Sequence, residues 1–447
     1  MDWNRPGRFR WVCPLLVPGA HGWRCSAHTV EVRPFWGRAA LIFLGITLGI
    51  YLLGASAVTA GFRATGVTEL SWFEVAWPGK WGAIKKARVR YFALRAARLL
   101  RDGDFIAAEL SLLSSLQLDP ANYEATLFLG HLKQYQQNFP ASDAVFRGLL
   151  DQHPHRRQET AIAWHDALLV RQRYRELAVL ALHMAAIPDP EAPFWVRSAL
   201  FALRASPNVT GFVDLNANRI ATLPSAARAL FLAEGAFQQA PREAMVGRLL
   251  EASAGNLAPV LVDEFVDLLL RLNEVGRAEA LLRRQGVGLT AFDRAFAQMR
   301  IDQASGDAAL VRLDFEALLR RRLTPASLDR LVAWLIEHPD RQSFARLERA
   351  VSRRENQPAV TGAEMWVVAL ACGATAEAAA WARICEQRFG LWLPSIAALN
   401  FSSDRLTDLT SVPHLVVTAK LPREVIFSLL RRMAAAKRTS DGEPRRP

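Results

Sequence analysis

Read for its hydrophobic and polar positions, the chain opens on one uninterrupted apolar run and then changes period. Residues 39–62, AALIFLGITLGIYLLGASAVTAGF, carry no charge and lie between Arg38 and Arg63. At 1.5 Å per residue such a run makes about 36 Å of helix, enough to cross a hydrocarbon core of roughly 30 Å. Gly45, Gly49 and Gly54 would weaken a soluble helix but are tolerated in lipid. A cleavable signal has a shorter apolar region that starts nearer the N-terminus. The small run Ala55, Ser56, Ala57 nevertheless keeps processing open as an alternative. From about Ala83 to Phe401 apolar residues recur at helical spacing and strand-like alternation is scarce. Punctuation falls between the periodic runs, at Asp119-Pro120, His153-Pro154, Ile187-Pro188-Asp189-Pro190, Ser206-Pro207 and Leu323-Thr324-Pro325. In the last of these Thr324 is the expected N-cap and Pro325 the first helical residue. The pattern predicts an all-α chain, an αα-hairpin solenoid preceded by one transmembrane helix.

The connecting stretches are less regular. Residues 63–84 form an aromatic juxtamembrane segment that, with Phe62, includes Trp72, Phe73, Trp77 and Trp81. It reads either as a segment lying on the membrane surface or as an apolar cap under the first soluble helix. Pro78-Gly79 breaks it before the next helix. The stretch 207–224 lacks a clean helical face and reads as a loop or a distorted repeat. Residues 402–423 suit a short strand or an irregular cap. REVIFSLLRRMAAAKR (423–438) reads as a last amphipathic helix, and the polar TSDGEPRRP beyond it as a disordered tail.

The body repeats. When 91–120 is set against 125–154, Ala96 pairs with Gly130, Phe105 with Phe139, Ala108 with Ser142, Leu112 with Phe146 and Pro120 with Pro154. Every pair has the same offset, a period of about 34 residues. Small residues let two helices approach, large apolar ones fill the space between hairpins, and Pro ends the second helix. In this the chain resembles the tetratricopeptide repeat family. Its pattern is carried by Ala96, Gly103, Phe105, Ala108, Leu112 and Pro120, and in the next unit by Leu129, Gly130, Phe139, Phe146 and Pro154. A third unit runs to Pro188 with Trp164 and Leu180 in register and Tyr174 one residue out of place. Thinner matches follow at 268–284, 300–319 and 368–387, where Gly276, Gly306 and Gly373 mark the expected turns. The segments expected are thus 1–38 (basic), 39–62 (span), 63–84 (aromatic), 85–190 (TPR-like repeats), 191–401 (degenerate helical repeats) and 402–447 (cap helix and tail).

Charge sharpens this picture. The net charge is +12, from 55 Lys and Arg against 43 Asp and Glu. Residues 80–101 hold eight basic residues and no acid, and 1–38 and 431–447 are basic as well, so residues 102–430 are close to neutral. A nucleic-acid reader carries its basic residues on the folded surface, so no nucleic-acid partner is expected. Arg24, Arg33 and Arg38 precede the span and only Arg63 closely follows it, which orients the N-terminus to the cytoplasm and the body to the periplasm; the cluster from Lys80 argues the other way from farther out. Four Cys, none at CxxC spacing, exclude a disulfide scaffold and a zinc ribbon. Cys372 and Cys385 read as small buried apolar residues.

Nucleotide, hydrolase and metalloprotease motifs are missing: no GxxxxGK[ST], GxGxxG, GxSxG or HExxH occurs. No catalytic residue, cofactor or metal is therefore expected. His153 and His155 flank a turn, the acidic Asp263, Glu264 and Asp267 read as a solvated helix face, and Arg320, Arg321 and Arg322 close a helix at its negative end. The resemblance implies that first helices line a groove for a peptide or helix of a protein partner. In that register the groove-facing candidates are Arg90, Arg101, Glu124, His131, Gln134, Tyr135 and His165. The implied function is a non-catalytic scaffold, held to the lipid bilayer by 39–62. A membrane-tethered envelope-biogenesis enzyme with its site in 191–401, or a cytosol-facing regulatory module holding anionic lipid through 80–101, remains as an alternative.

Overall fold

The computed structural model describes residues 16–20, 22–25, 36–68, 70–206, 209–237, 240–353, 359–390, 393 and 421–440. The chain divides into two compact units, Met1–Thr160 and Ala161–Pro447. Apart from a small antiparallel hairpin, β1 (Leu16–Gly19) with β2 (Gly22–Cys25), the described elements are helical. That hairpin lies in the basic N-terminal segment, where sequence pattern indicated no strand.

In the first unit α1 (Trp36–Ala64) is longer than the uncharged run and is followed by the short α2 (Trp72–Ala76). Ser71 and Glu74 cap α2 reciprocally, as a capping box. Pro78-Gly79-Lys80 form a 3-10 turn that ends the segment, as the Pro-Gly pair predicts. Two hairpins follow: α3 (Gly82–Arg101) with α4 (Phe105–Leu118), and α5 (Tyr123–Tyr135) with α6 (Phe139–Gln152). Helix α7 (Arg157–Val170) begins in this unit and continues into the second, where α8 (Tyr174–Ala185) follows it.

The hairpin turns explain the repeat register. Gly103 takes a left-handed φ of 81°, and the Asp104 N–H reaches back to the Leu99 carbonyl. Asp104 then accepts from the Ala107 N–H and caps α4. This is a C-terminal Schellman-type turn fused to an N-cap, which needs very little chain. Gln137, one repeat further on, takes φ 58° in the same turn, and Asn138 caps α6. Gln172 (φ 55°) comes one residue later than the register requires, which is the slip seen at Tyr174. Asn273, Gly306 and Gly373 repeat the device with φ of 58°, 87° and 70°. Gly276 is therefore not the turn residue expected there; Asn273 is, because Asn tolerates the left-handed region better than most side chains.

Between the turns, small residues sit where helices cross. Ala96 and Ala108 are fully buried with Leu112, Leu129 and Leu132 in one apolar cluster. A Cβ on Gly130 would come within 3.2 Å of the Phe146 ring, which would have to give by a few tenths of an ångström to admit it.

The second unit continues as helix pairs. After α8 come α9 (Ala192–Ala205), then α10 (Val209–Leu215) and α11 (Ala217–Ala221). The latter two show that the 207–224 stretch, expected as a loop or distorted repeat, folds largely as two short helices. The pairs α12 (Ser225–Ala236) and α13 (Arg242–Ala252), α14 (Pro259–Arg271) and α15 (Val275–Gln285), and α16 (Ala291–Ala304) and α17 (Ala308–Arg320) follow. Then come α18 (Pro325–Glu337), α19 (Arg341–Ser352) and the pair α20 (Ala359–Ala371) with α21 (Thr375–Phe389). Thr324 caps α18 with Pro325 as its first residue, as predicted. The C-terminal α22 spans Arg423–Ser440. The expected strand or cap at 402–423 falls, up to residue 420, outside the described residues, as does the tail beyond 440. The fold is an all-α array of TPR-like hairpins preceded by one long apolar helix.

Ala108→Trp should overpack the α3–α4 crossing and cost on the order of 1–3 kcal/mol. Pro120→Ala, at an exposed helix end, should cost much less. Thermal melts of the purified full-length chain read the difference; equal melting of the two variants would refute the crossing.

Candidate functional site

The first unit holds a groove of about 940 Å³ between α3 and α5. Val89, Ala93, Ala125, Leu127 and Phe128 give it an apolar floor. Lys85, Lys86, Arg90 and His131 line it with cationic or titratable groups, and Asp119 and Glu124 with carboxylates. Glu124 is engaged at 2.6 Å by Arg156, whose guanidinium also lies 4.2 Å over the Tyr123 ring. By count the lining holds three cationic side chains, Lys85, Lys86 and Arg90, against two carboxylates. His131 packs its ring edge against Phe146, 5.4 Å between centroids, which fixes its orientation.

Three of the expected groove residues, Arg90, Glu124 and His131, thus line one cavity. Arg101 and Tyr135 are exposed at the C-terminal ends of α3 and α5, outside that lining. Two expectations need correction. Gln134 is 4% exposed: its Nε2 donates to Ser142 Oγ, which in turn donates to the Gly130 carbonyl. It ties α5 to α6 and faces the hairpin interior. His165 is fully buried, between Phe194, Trp195 and Phe427, with Nδ1 2.9 Å from Asp166. Burial holds its imidazole below the usual histidine range in spite of Asp166. Both residues occupy first helices as the register requires; their helical faces are the ones covered by neighbours.

In the second unit the corresponding interior is filled. Asp263 and Glu264, expected on a solvated face, are 5% and 3% exposed. Arg197 bonds Glu264 at 3.1 Å, and Arg204 reaches Glu234 at 2.5 Å, Glu264 at 3.0 Å and Asp267 at 3.2 Å. Arg271 adds a second guanidinium to Glu234, Arg300 pairs with Asp267, and Arg330 bridges Asp263 and Asp293. These residues come from α9, α12, α14, α16 and α18, each the first helix after a turn between pairs. The reason is electrostatic: a buried charge without a partner costs several kcal/mol, so the acidic face is tolerated only because arginines of neighbouring hairpins meet it. Burial alone would push the Asp267 carboxyl up; Arg204 and Arg300 more than reverse that and hold it below the carboxylate range. The separations carried the signal. Arg197 to Glu264 and Asp263 to Arg330 are 67 residues each, two units.

Helix α22 lies on this interior. Val425, Phe427, Leu429 and Leu430 are buried. Phe427 stacks on Phe201 at 4.3 Å, Arg423 forks onto Asp166 at 3.0 and 3.2 Å, and Arg431 meets Glu337 at 3.1 Å. The chain's own amphipathic helix thus covers this inner face. Asp329 and Glu364 lie within reach of the charge of its first-turn Glu424. Burial first, then the hydrogen bond and charge of Asp329, push the Glu364 carboxyl up to about 10.

Cys385 is buried and Cys372 half-buried, and burial pushes both thiols up to about 11, which makes them poor nucleophiles at neutral pH. Among the described residues no group of three His, Cys, Asp or Glu could hold a metal ion.

No protein-family model and no curated protein matches the chain. Among solved structures, a tetratricopeptide repeat protein from Parabacteroides merdae matches over 59% of this chain and 99% of its own, at 13% identity and a TM-score of 0.22. The fold assignment accordingly stands on the turns, crossings and pairings described above.

The Glu364 proton has a consequence for stability. In the folded chain it is held to about pH 10, in the unfolded chain only to about 4.5. Between those values folding binds a proton, so stability falls as pH rises through the window. Glu364→Gln keeps the neutral form and should flatten the fall in melting temperature between about pH 7 and pH 9. Wild type and variant losing stability in parallel would rule out Glu364 as the source.

Proposed function

We propose that the chain is a membrane-anchored, non-catalytic scaffold that takes an acidic peptide or helix of a protein partner in the α3–α5 groove. The observation that carries this reading is the contrast between the two interiors. The first-unit groove is open, apolar at its floor and lined by Lys85, Lys86, Arg90 and His131, while the inner face of the second unit is covered by α22. An acidic segment with a few apolar side chains complements that lining, through burial at Phe128 and Leu127 and charge pairing that weakens with salt. Tyr135 and Arg101, exposed beyond the cavity, would extend the contact at one end. Glu234, Asp263, Glu264, Asp267 and Asp293, the carboxylates clustered in 191–401, are committed to arginines, which favours scaffolding over the envelope-biogenesis enzyme.

Capture of the native partner from detergent extract by the full-length chain tests the groove. Arg90→Glu and Lys86→Glu should each lose at least about 1 kcal/mol of binding while melting like wild type. Undiminished capture by both would move the interface elsewhere.

Helix α1 is long and apolar enough to cross a membrane, with residues Gly37–Ala64 qualifying. Its flanking arginines support a single-pass protein of the cytoplasmic membrane with the body in the periplasm. Alkaline phosphatase fused after Pro447 should be active; an inactive fusion with a fluorescent cytoplasmic reporter at the same point would reverse the orientation.

A further inference from the structure

The apolar helix does not keep one character over its whole length. From Leu41 to Leu53 its large side chains face outward, with Phe43 73%, Leu44 63%, Ile50 67% and Leu53 73% exposed. From Ala55 onward it becomes part of the protein. Ala55 and Thr59 are buried, and Ala55 shares an apolar cluster with Val67, Leu70, Val75 and Ala87, against which Phe62, Ile84, Tyr91 and Leu94 pack. Polar groups fasten the same stretch. The Trp72 indole donates to Ser56 Oγ at 2.9 Å and the Tyr51 hydroxyl donates to the Ala76 carbonyl at 2.7 Å. Past the helix end, Arg98 donates to the Thr65 carbonyl at 2.5 Å. Helix α3, which carries Lys85, Lys86, Arg88, Arg90, Arg95, Arg98 and Arg101, thus runs beside the last turns of α1. Seven cations cannot stand in hydrocarbon, so the part of α1 that they flank cannot stand there either.

Four aromatic side chains ring the point where α1 changes character. Trp72, Phe73, Trp77 and Trp81 are 41%, 52%, 57% and 52% exposed. Lys80 sits 5.1 Å over the Phe73 ring. The Trp81 indole donates to the Val75 carbonyl, so the belt is held in place by its own backbone. Large rings left exposed beside an apolar helix, with a lysine among them, suit the headgroup layer, where one part of the ring is apolar and the N–H is wet.

Resting on the membrane-anchor reading above, we infer that the bilayer boundary on the body side lies at Tyr51–Ser56, not at Arg63. The aromatic belt of α2 and Trp81 rests on lipid headgroups, and the last two turns of the apolar helix stand outside the bilayer as core of the first unit. The uncharged lipid-embedded part is then residues 39–54 or so, about 24 Å of helix, and it comes close to a hydrocarbon core of roughly 30 Å with Arg38 reaching the headgroups at the far end.

Nitroxide labels on the full-length chain in phosphatidylcholine–phosphatidylglycerol vesicles decide the matter. Native cysteines are first replaced by serine or alanine, with melting checked against wild type. Single cysteines then replace Leu44, Val58 and Phe73, all exposed in the protein. Leu44 and Val58 lie at similar distances inside the two ends of the 39–62 run, so a helix embedded over that whole run gives both labels similar depth. The expected result is a Leu44 label reached by oxygen and not by a polar nickel chelate, a Val58 label several-fold more open to the chelate, and a Phe73 label at headgroup depth. Equal shielding at Leu44 and Val58 overturns the boundary while leaving the anchor intact. A Leu44 label open to the chelate overturns the anchor itself. A Phe73 label wholly in water or deep in hydrocarbon overturns the belt.

Discussion

Five arginines and five carboxylates gathered inside the second unit set the constraint that its hairpins obey together. Arg197, Arg204, Arg271, Arg300 and Arg330 meet Glu234, Asp263, Glu264, Asp267 and Asp293, and most of the bonds join different hairpins. In a solenoid held by apolar contacts alone, each repeat touches its neighbours and stability is close to a sum over adjacent pairs. Here Arg197 reaches across to α14, and Arg330 on α18 reaches Asp263 on the same helix α14. Each of these skips a first helix. Moving one hairpin would strand a charge in a site with little water, a cost of several kcal/mol. Displacing one hairpin therefore breaks ion pairs with hairpins beyond its immediate neighbours as well. Such pairs add less to stability than to uniqueness of arrangement, because desolvation offsets much of the attraction.

The same interior dictates what can lie on it. Balanced charge with aromatic patches at Phe194, Trp195 and Phe201 suits an amphipathic helix bearing arginines at its edges, and α22 has that chemistry in Arg423, Phe427 and Arg431. A helix supplied by the same chain acts at an effective concentration that a free peptide seldom matches. An outside helix would have to displace it, so the open groove of the first unit is the easier place for a partner.

How much of this was legible in the sequence depends on whether the signal was local. The long apolar helix, the hairpins and the repeat spacing were readable because each depends on residues within one helix or one turn. Thr324-Pro325 announced a helix start, and Pro120 and Pro154 announced helix ends. The turn at Asn273 was hidden because attention falls on glycine, although Asn also tolerates the left-handed region. Gln134 and His165 were placed on the correct helices but on the wrong faces. Their burial comes from Ser142 in the facing helix and from Phe427 on the C-terminal helix, far off in the chain. Asp263 and Glu264 looked solvated because their partners Arg330 and Arg197 lie two repeat units off, one in each direction. Composition says nothing about such pairing; only the repeat register brings the arginines and carboxylates to the same level.

On the proposed reading, anchoring and recognition share one piece of core in the first unit. Ala55 on α1, Val75 on α2 and Ala87 on α3 occupy a single cluster, and the next turn of α3 supplies Val89 and Arg90 to the groove. A flexible tether would let the groove explore any height above the membrane. A helix whose last turns are packed, hydrogen-bonded through Ser56 and held by Arg98 at its end removes that freedom within the unit. The α3–α5 groove is then carried at a set distance from the apolar helix, with Lys85 and Lys86 at the end of α3 nearest the aromatic belt. A partner segment entering there would meet those lysines close to the headgroups, and an acidic segment would be drawn to them most strongly at low salt. The apolar helix thus does two jobs with two chemistries: outward leucines and phenylalanine along its first half, and small residues, Ala55 and Thr59, where the protein closes on it.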